Sequence, residues 1–166
     1  MNFIELFSSI NSSWVTFFIA MLPIAELRVA IPVAIEIYKL NPWWVFFVSI
    51  IGNMVPVTII LLLVPKIHNW LLKQKVIGKM FDYFLTRAEN KFKNDFNKWG
   101  LVGLAIFVGI PLPMTGVWTG ALAAFVFNIP FKKSWPTIFA GVIIAGIAVL
   151  LITLFAGASL RWLFGI

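Results

Sequence analysis

Cysteine is absent from the 166 residues, and histidine occurs once, as His68 among Lys66, Asn69 and Lys73. Disulfides, thiolate zinc sites and Cys- or His-based nucleophiles therefore have no residues to be built from, and no metal or cofactor is expected. Charge is scarce as well: 11% of residues are charged, 61% are hydrophobic, and the mean hydropathy is +1.00. A soluble domain cannot cover its surface with so little charge, so the composition points to an integral membrane protein. No Lys or Arg precedes Arg28; without the basic region of a cleaved signal peptide, Met1 onward is expected to be mature protein. Acidic residues number six against thirteen basic ones, a net charge of +7. Such an excess would suit a nucleic-acid binder, but ten of the thirteen lie within Lys66–Lys98 or at Lys132–Lys133, in loops between apolar blocks. That placement is the topological signature of cytoplasmic loops, and no nucleic-acid partner is expected.

Four apolar blocks remain: 14–38, 43–64, 101–127 and 135–160. The second, Trp43–Val64, has 22 residues, about 33 Å as a helix, and matches a hydrocarbon core of about 30 Å. The fourth is long enough too, and Trp43, Trp44, Trp135 and Trp162 fit interfacial belts. The first and third are different. Met21–Pro32 reads M-L-P-I-A-E-L-R-V-A-I-P and Gly109–Gly120 reads G-I-P-L-P-M-T-G-V-W-T-G, so prolines and polar groups sit in the middle of apolar sequence. Pro23 and Pro32 in one, Pro111 and Pro113 in the other, with Gly116 and Gly120, supply the turn backbone. Backbone that cannot complete its helical hydrogen bonds is tolerated at membrane depth only inside protein or beside a water-filled cavity. The expected form is a re-entrant hairpin of two short arms; the competing form is a single proline-kinked helix.

A shift of 88 residues lays Pro23 on Pro111, Pro42 on Pro130 and Gly52 on Ala140. It pairs hairpin with hairpin and span with span, so two repeats are expected, about 1–64 and 101–166, in one membrane domain. Each half then crosses once, the second starting on the opposite side, which is an inverted-topology repeat. Both basic loops then face the cytoplasm while the termini, Lys39 and Arg161 lie outside; four kinked crossings would separate the basic loops. The polar stretch 65–100 carries Ile67, Trp70, Leu71, Ile77, Met80, Phe81, Phe84, Leu85, Ala88, Phe92, Phe96 and Trp99 close to helical spacing, with an interruption near Gly78. It is expected to form an amphipathic helix, either at the cytoplasmic interface facing anionic lipid or packed under the bundle. A shorter one is expected at Phe3–Ile10.

Ionisable groups at membrane depth cost about 2.5–3.5 kcal/mol each on insertion scales, so Glu26 and Arg28 in the first break need a reason. They form either a structural pair or a site in which Arg28 holds an anion and Glu26 exchanges a proton. Glu36 reads as a solvated acid near the outer interface. The second break offers the hydroxyls of Thr115 and Thr119 and a half-helix starting near Thr115, whose N–H groups would suit an anion unless Thr115 merely caps it. Gly116, Gly120 and Ala124 recur every four residues as a packing stripe. Trp118 lines a cavity or packs. Asn53, at mid-span, bonds across helices or faces the site. Gly141 and Ala145 make another small-residue face.

The motifs E-L-R-V-A-I-P at Glu26–Pro32 and P-L-P-M-T-G-V-W-T-G at Pro111–Gly120 resemble the small multidrug export proteins. That family is similar at a distance to the DedA, or VTT-domain, membrane proteins. The resemblance implies two facing re-entrant hairpins, proton-linked transport or lipid-carrier movement, and roles for an acid and an arginine that fall on Glu26 and Arg28; the second hairpin here holds neither. The expected protein is an all-α inner or plasma membrane protein, not an enzyme. It is expected to act as a small proton-coupled secondary transporter whose site holds Glu26, Arg28, Asn53, Thr115, Thr119 and Trp118 between two hairpin tips. The alternatives are a DedA-type flippase or scramblase and a structural or assembly protein. Expected partners are membrane lipid, a small-molecule, ion or headgroup substrate, and a second copy in a homodimer or other homo-oligomer.

Overall fold

The computed structural model describes residues 11–74, 77–110 and 116–164, the side chains of 71, 72, 77, 95–97 and 157–164 apart. Helix α1 is Ser12–Met21, opened by Asn11, whose Oδ1 accepts from the Ser13 N–H at 3.0 Å. It stops because Leu22 precedes proline, which pushes a residue out of the helical region; its φ and ψ are −71° and 138°. After the turn Leu22–Ala25, α2 runs over Glu26–Pro32 and widens into a π turn at Val33–Ile37, where Tyr38 N–H donates to the Val33 carbonyl at 3.3 Å. Pro32 thus lies within the second arm rather than in the turn. Its ring cannot donate to the preceding turn of helix, and the widened turn follows at that point.

Helix α3 is Pro42–Leu72, with Asn41 Oδ1 accepting from the Trp43 and Trp44 N–H groups at 3.0 and 3.3 Å. It outruns the expected span by a further two turns, because Pro65 removes one hydrogen bond at the polar end of the helix, where other groups and water can serve the freed carbonyl. Helix α4, Ile77–Gly109, bends at Gly100, whose φ of 55° and ψ of −128° suit glycine alone. Then come α5, Val117–Val126, and α6, Phe131–Phe164. All regular structure among the described residues is helical, and α3 and α6 are long and apolar enough to cross a membrane.

The amphipathic arm of α4 before Gly100 packs under the bundle through Phe81, Leu85, Ala88 and Phe92; the Phe92 ring lies 5.3 Å from Phe107 and 5.5 Å from Phe127. The apolar stripe divides here, for Trp70, Met80, Phe84 and Trp99 point outward. The expected Phe3–Ile10 helix, Pro111, Pro113, Thr115 and the side chains of Arg161 and Trp162 lie outside the described residues.

Both proline-bearing blocks are interrupted. None of their arms, α1 at 10 residues, α2 with its π turn, the part of α4 past Gly100, and α5 at 10, reaches the length of a span. In the second block the arms pack against each other: a Cβ on Gly120 would stand 2.5 Å from Val108 Cγ2. Each half also seats its first arm on its long helix in the same manner. A Cβ on Gly52 of α3 would meet the Phe17 carbonyl at 2.6 Å and Ala20 Cβ at 3.1 Å; on Gly141 of α6 it would meet the Ala105 carbonyl at 2.7 Å and Val108 Cβ at 2.9 Å. Phe17 to Ala105 and Ala20 to Val108 are both shifts of 88 residues, while Gly52 corresponds to Gly141 rather than Ala140, a slip of one. A left-handed residue, Lys39 (φ 51°) or Asn128 (φ 53°), turns the corner three positions before each long helix.

Candidate functional site

The site begins with a helix end that has no cap of its own. Gly116 stands at the N-cap of α5 in extended conformation, and no side chain from its own segment accepts from the first N–H groups. The acceptor comes from the other break. The Glu26 carboxylate takes hydrogen bonds from the backbone N–H groups of Val117 and Trp118, placing a negative group where the helix dipole is positive. Gly116 makes this possible by size: a Cβ there would overlap the Glu26 carboxylate oxygens. Gly116 therefore makes room for an acid, a closer role than the packing stripe foresees, while Gly120 does pack.

The exchange runs the other way as well. Trp118 Nε1 donates to the carbonyl of Met21, the last residue of α1, at 3.1 Å. Carbonyls at a helix C-terminus have no partner within the helix, so each break supplies what the end of the other lacks. Glu26 is held for this by its backbone. It is 5% exposed and adopts φ 49°, a left-handed conformation unusual for a residue with a Cβ, while its N–H donates to the Leu22 carbonyl at 3.0 Å. Strain of this kind gathers at functional sites. Arg28 brings Nη2 to 3.8 Å from Glu26 Oε2, an ion pair by distance but too long for a strong hydrogen bond.

Asn53 is 1% exposed, and its Oδ1 has no hydrogen-bond partner among the described residues. Its depth follows from its neighbour: Gly52 lies against Phe17 and Ala20, so Asn53 is level with the end of α1, where Trp118 bonds Met21. One turn away on α3, Ser49 is fully buried and its hydroxyl is likewise without a partner among the described residues. Ser49 was not anticipated, although its spacing of four from Asn53 was the available signal. Thr119 is half-buried in the first turn of α5. Glu36 forms a half-exposed pair with Lys39 at 3.8 Å, away from this cluster, as a solvated acid should. The structure thus brings together Glu26, Arg28, Gly116 and Trp118, and sets Asn53 at the same depth.

Two long apolar helices, with interrupted ones that meet through a buried acid, define a helical membrane protein. Residues 26–148 match the family of small multi-drug export proteins, and the chain belongs to that family. The matched region opens at Glu26, just after the first turn, and contains the whole of the second break. By its description that family is one of exporters. No curated protein and no solved structure matches the chain.

Proposed function

We propose that the protein is a proton-coupled secondary transporter whose substrate is taken between two re-entrant hairpin tips, with Glu26 as the proton-carrying group. One observation carries this reading: the carboxylate of the first break caps the helix that follows the second. An ionised carboxylate makes charge-assisted hydrogen bonds to both N–H groups, roughly twice as strong as neutral ones. Protonation weakens them, so proton uptake loosens one tip from the other and removes the negative charge that Arg28 faces. The repeated arm-to-helix contacts at Gly52 and Gly141 support two halves of like build. With a single crossing each, the halves are inverted, and rocking one against the other exposes the site to either side in turn. Asn53 and Thr119 complete the polar lining. The family name suggests drugs as cargo. The exposed apolar flanks of the arms, Trp14 and Phe18 among them, are covered by a second copy in a homodimer.

Reconstituted vesicles carrying a proton gradient test this. Glu26→Gln keeps the size of the side chain and its ability to accept a hydrogen bond but cannot cycle a proton. Gradient-driven flux of a transported cation or drug falls at least about tenfold, the scale of 1.4 kcal/mol, while melting in detergent moves little, because a charge at a helix end is worth only about 0.3–1 kcal/mol. Undiminished flux removes Glu26 from the mechanism. Dithionite quenching of labelled lipid in the same vesicles reports lipid movement, and lipid flipping without solute flux would replace the solute reading.

A further inference from the structure

A groove of about 440 Å³ lies between α3 and α6 on the surface of the bundle, and none of Glu26, Arg28, Gly116 and Trp118 is among its lining residues. Its size falls in the range of small-molecule sites. Ile50 and Met54 form the buried floor, and the exposed Ile51 and Ile59 form its rim. Trp135 and Phe139 make the other wall, their rings stacked at 5.4 Å and 14°. Two lining side chains carry polar atoms, and both are occupied: Trp135 Nε1 donates to Thr58 Oγ1 at 3.0 Å, and that hydroxyl donates to the Met54 carbonyl at 2.9 Å. What remains can hold hydrocarbon and offers nothing to a polar ligand.

Both walls end in a lysine at the same end of the groove. On α6, Lys132 shares a face with Trp135 and Phe139 at spacings of three and seven; on α3, Lys66 continues the face of Val55, Ile59 and Leu62. The Trp135–Thr58 bond sets the antiparallel register. Lys132 therefore lies about 4.5 Å, and Lys66 about 12 Å, beyond that bond along the axes. Both are exposed. Inside a bilayer an apolar groove gains no hydrophobic driving force over the surrounding lipid, so selectivity has to come from the cationic end. Charge complementarity names the occupant. We propose that this groove binds an acidic phospholipid of the basic-side leaflet, one acyl chain along Ile59, Met54 and Phe139 and the phosphate between Lys132 and Lys66. The site rests on membrane embedding alone and is independent of the transport reading.

Purified protein in mild detergent is titrated separately with dioleoyl phosphatidylglycerol and dioleoyl phosphatidylcholine, with native mass spectrometry counting retained lipid and thermal unfolding followed in parallel. Phosphatidylglycerol is retained preferentially and raises the melting midpoint. Lys66→Ala with Lys132→Ala weakens that retention about twenty-five-fold, each lysine contributing about fivefold near an anionic phosphate. Lys79→Ala with Lys93→Ala, which removes two exposed lysines elsewhere, leaves it unchanged. Ile59→Trp fills the groove from its rim and abolishes retention while circular dichroism stays native. Equal retention of the two lipids, equal losses in the two lysine pairs, or undiminished binding by Ile59→Trp would each overturn the proposal. So would conversion of a dimer to a monomer by Ile59→Trp in light scattering, which would make the groove a subunit interface.

Discussion

Gly116 is needed for room rather than rotation. Its φ and ψ of −82° and −161° are open to any residue, yet a Cβ would stand among the atoms of the Glu26 carboxylate. Gly116→Ala should therefore destabilise by about 1–3 kcal/mol, the usual range for overpacking. Adding Glu26→Ala should recover part of that loss, because the clash and the cap are one interaction. Thermal unfolding of the four members of this cycle checks it, and strictly additive costs would mean that the two residues are not in contact. The placing of Glu26 and Arg28 inside an apolar block was readable from the sequence. That Glu26 bonds the far break was not, since its partners are backbone N–H groups 91 and 92 positions later, and backbone groups leave no mark in a sequence.

Among elements, the long helices and the broken ones respond to different substitutions. Gly52→Ala and Gly141→Ala each push a methyl group toward a backbone carbonyl, at 2.6 and 2.7 Å, which a side-chain rotation cannot relieve. Similar losses are expected for the two, about 1–3 kcal/mol each, measured as melting shifts in the same detergent. A large effect at one and none at the other would mean that the halves are not built alike. Gly100 offers the opposite test: no atom lies within 4 Å of a Cβ there, so Gly100→Ala pays only for a backbone conformation that costs other residues about 1–3 kcal/mol. Its loss should appear as altered protease accessibility of the α4 arm. The spans α3 and α6 were legible because twenty apolar residues have one reading in a membrane. The end of α3 was not, because Pro65 marks a helix boundary only where the freed groups cannot be served.

For the whole molecule, the decisive property is which side each loop faces, and the absence of native cysteine makes it directly measurable. Single cysteines at Lys79 and Lys132 should react with an impermeant maleimide from the same side of sealed vesicles, and one at Lys39 from the other. Labelling of positions 79 and 132 from opposite sides would favour four kinked crossings over two hairpins. Such an arrangement would also split the positive charge between the two faces.

Apolar block lengths, the distribution of lysines and the position of each proline are local properties of the chain. Membrane residence, two spans, two interruptions and the candidate acid could be read from them directly. Which helix end receives Glu26, why position 116 has to be small, and which face of α3 forms a groove with α6 depend on contacts between segments distant in the chain. Those contacts are set by packing and by the need of unpaired backbone groups for partners in a solvent that offers none. No local pattern encodes them, and only the assembled helices decide them.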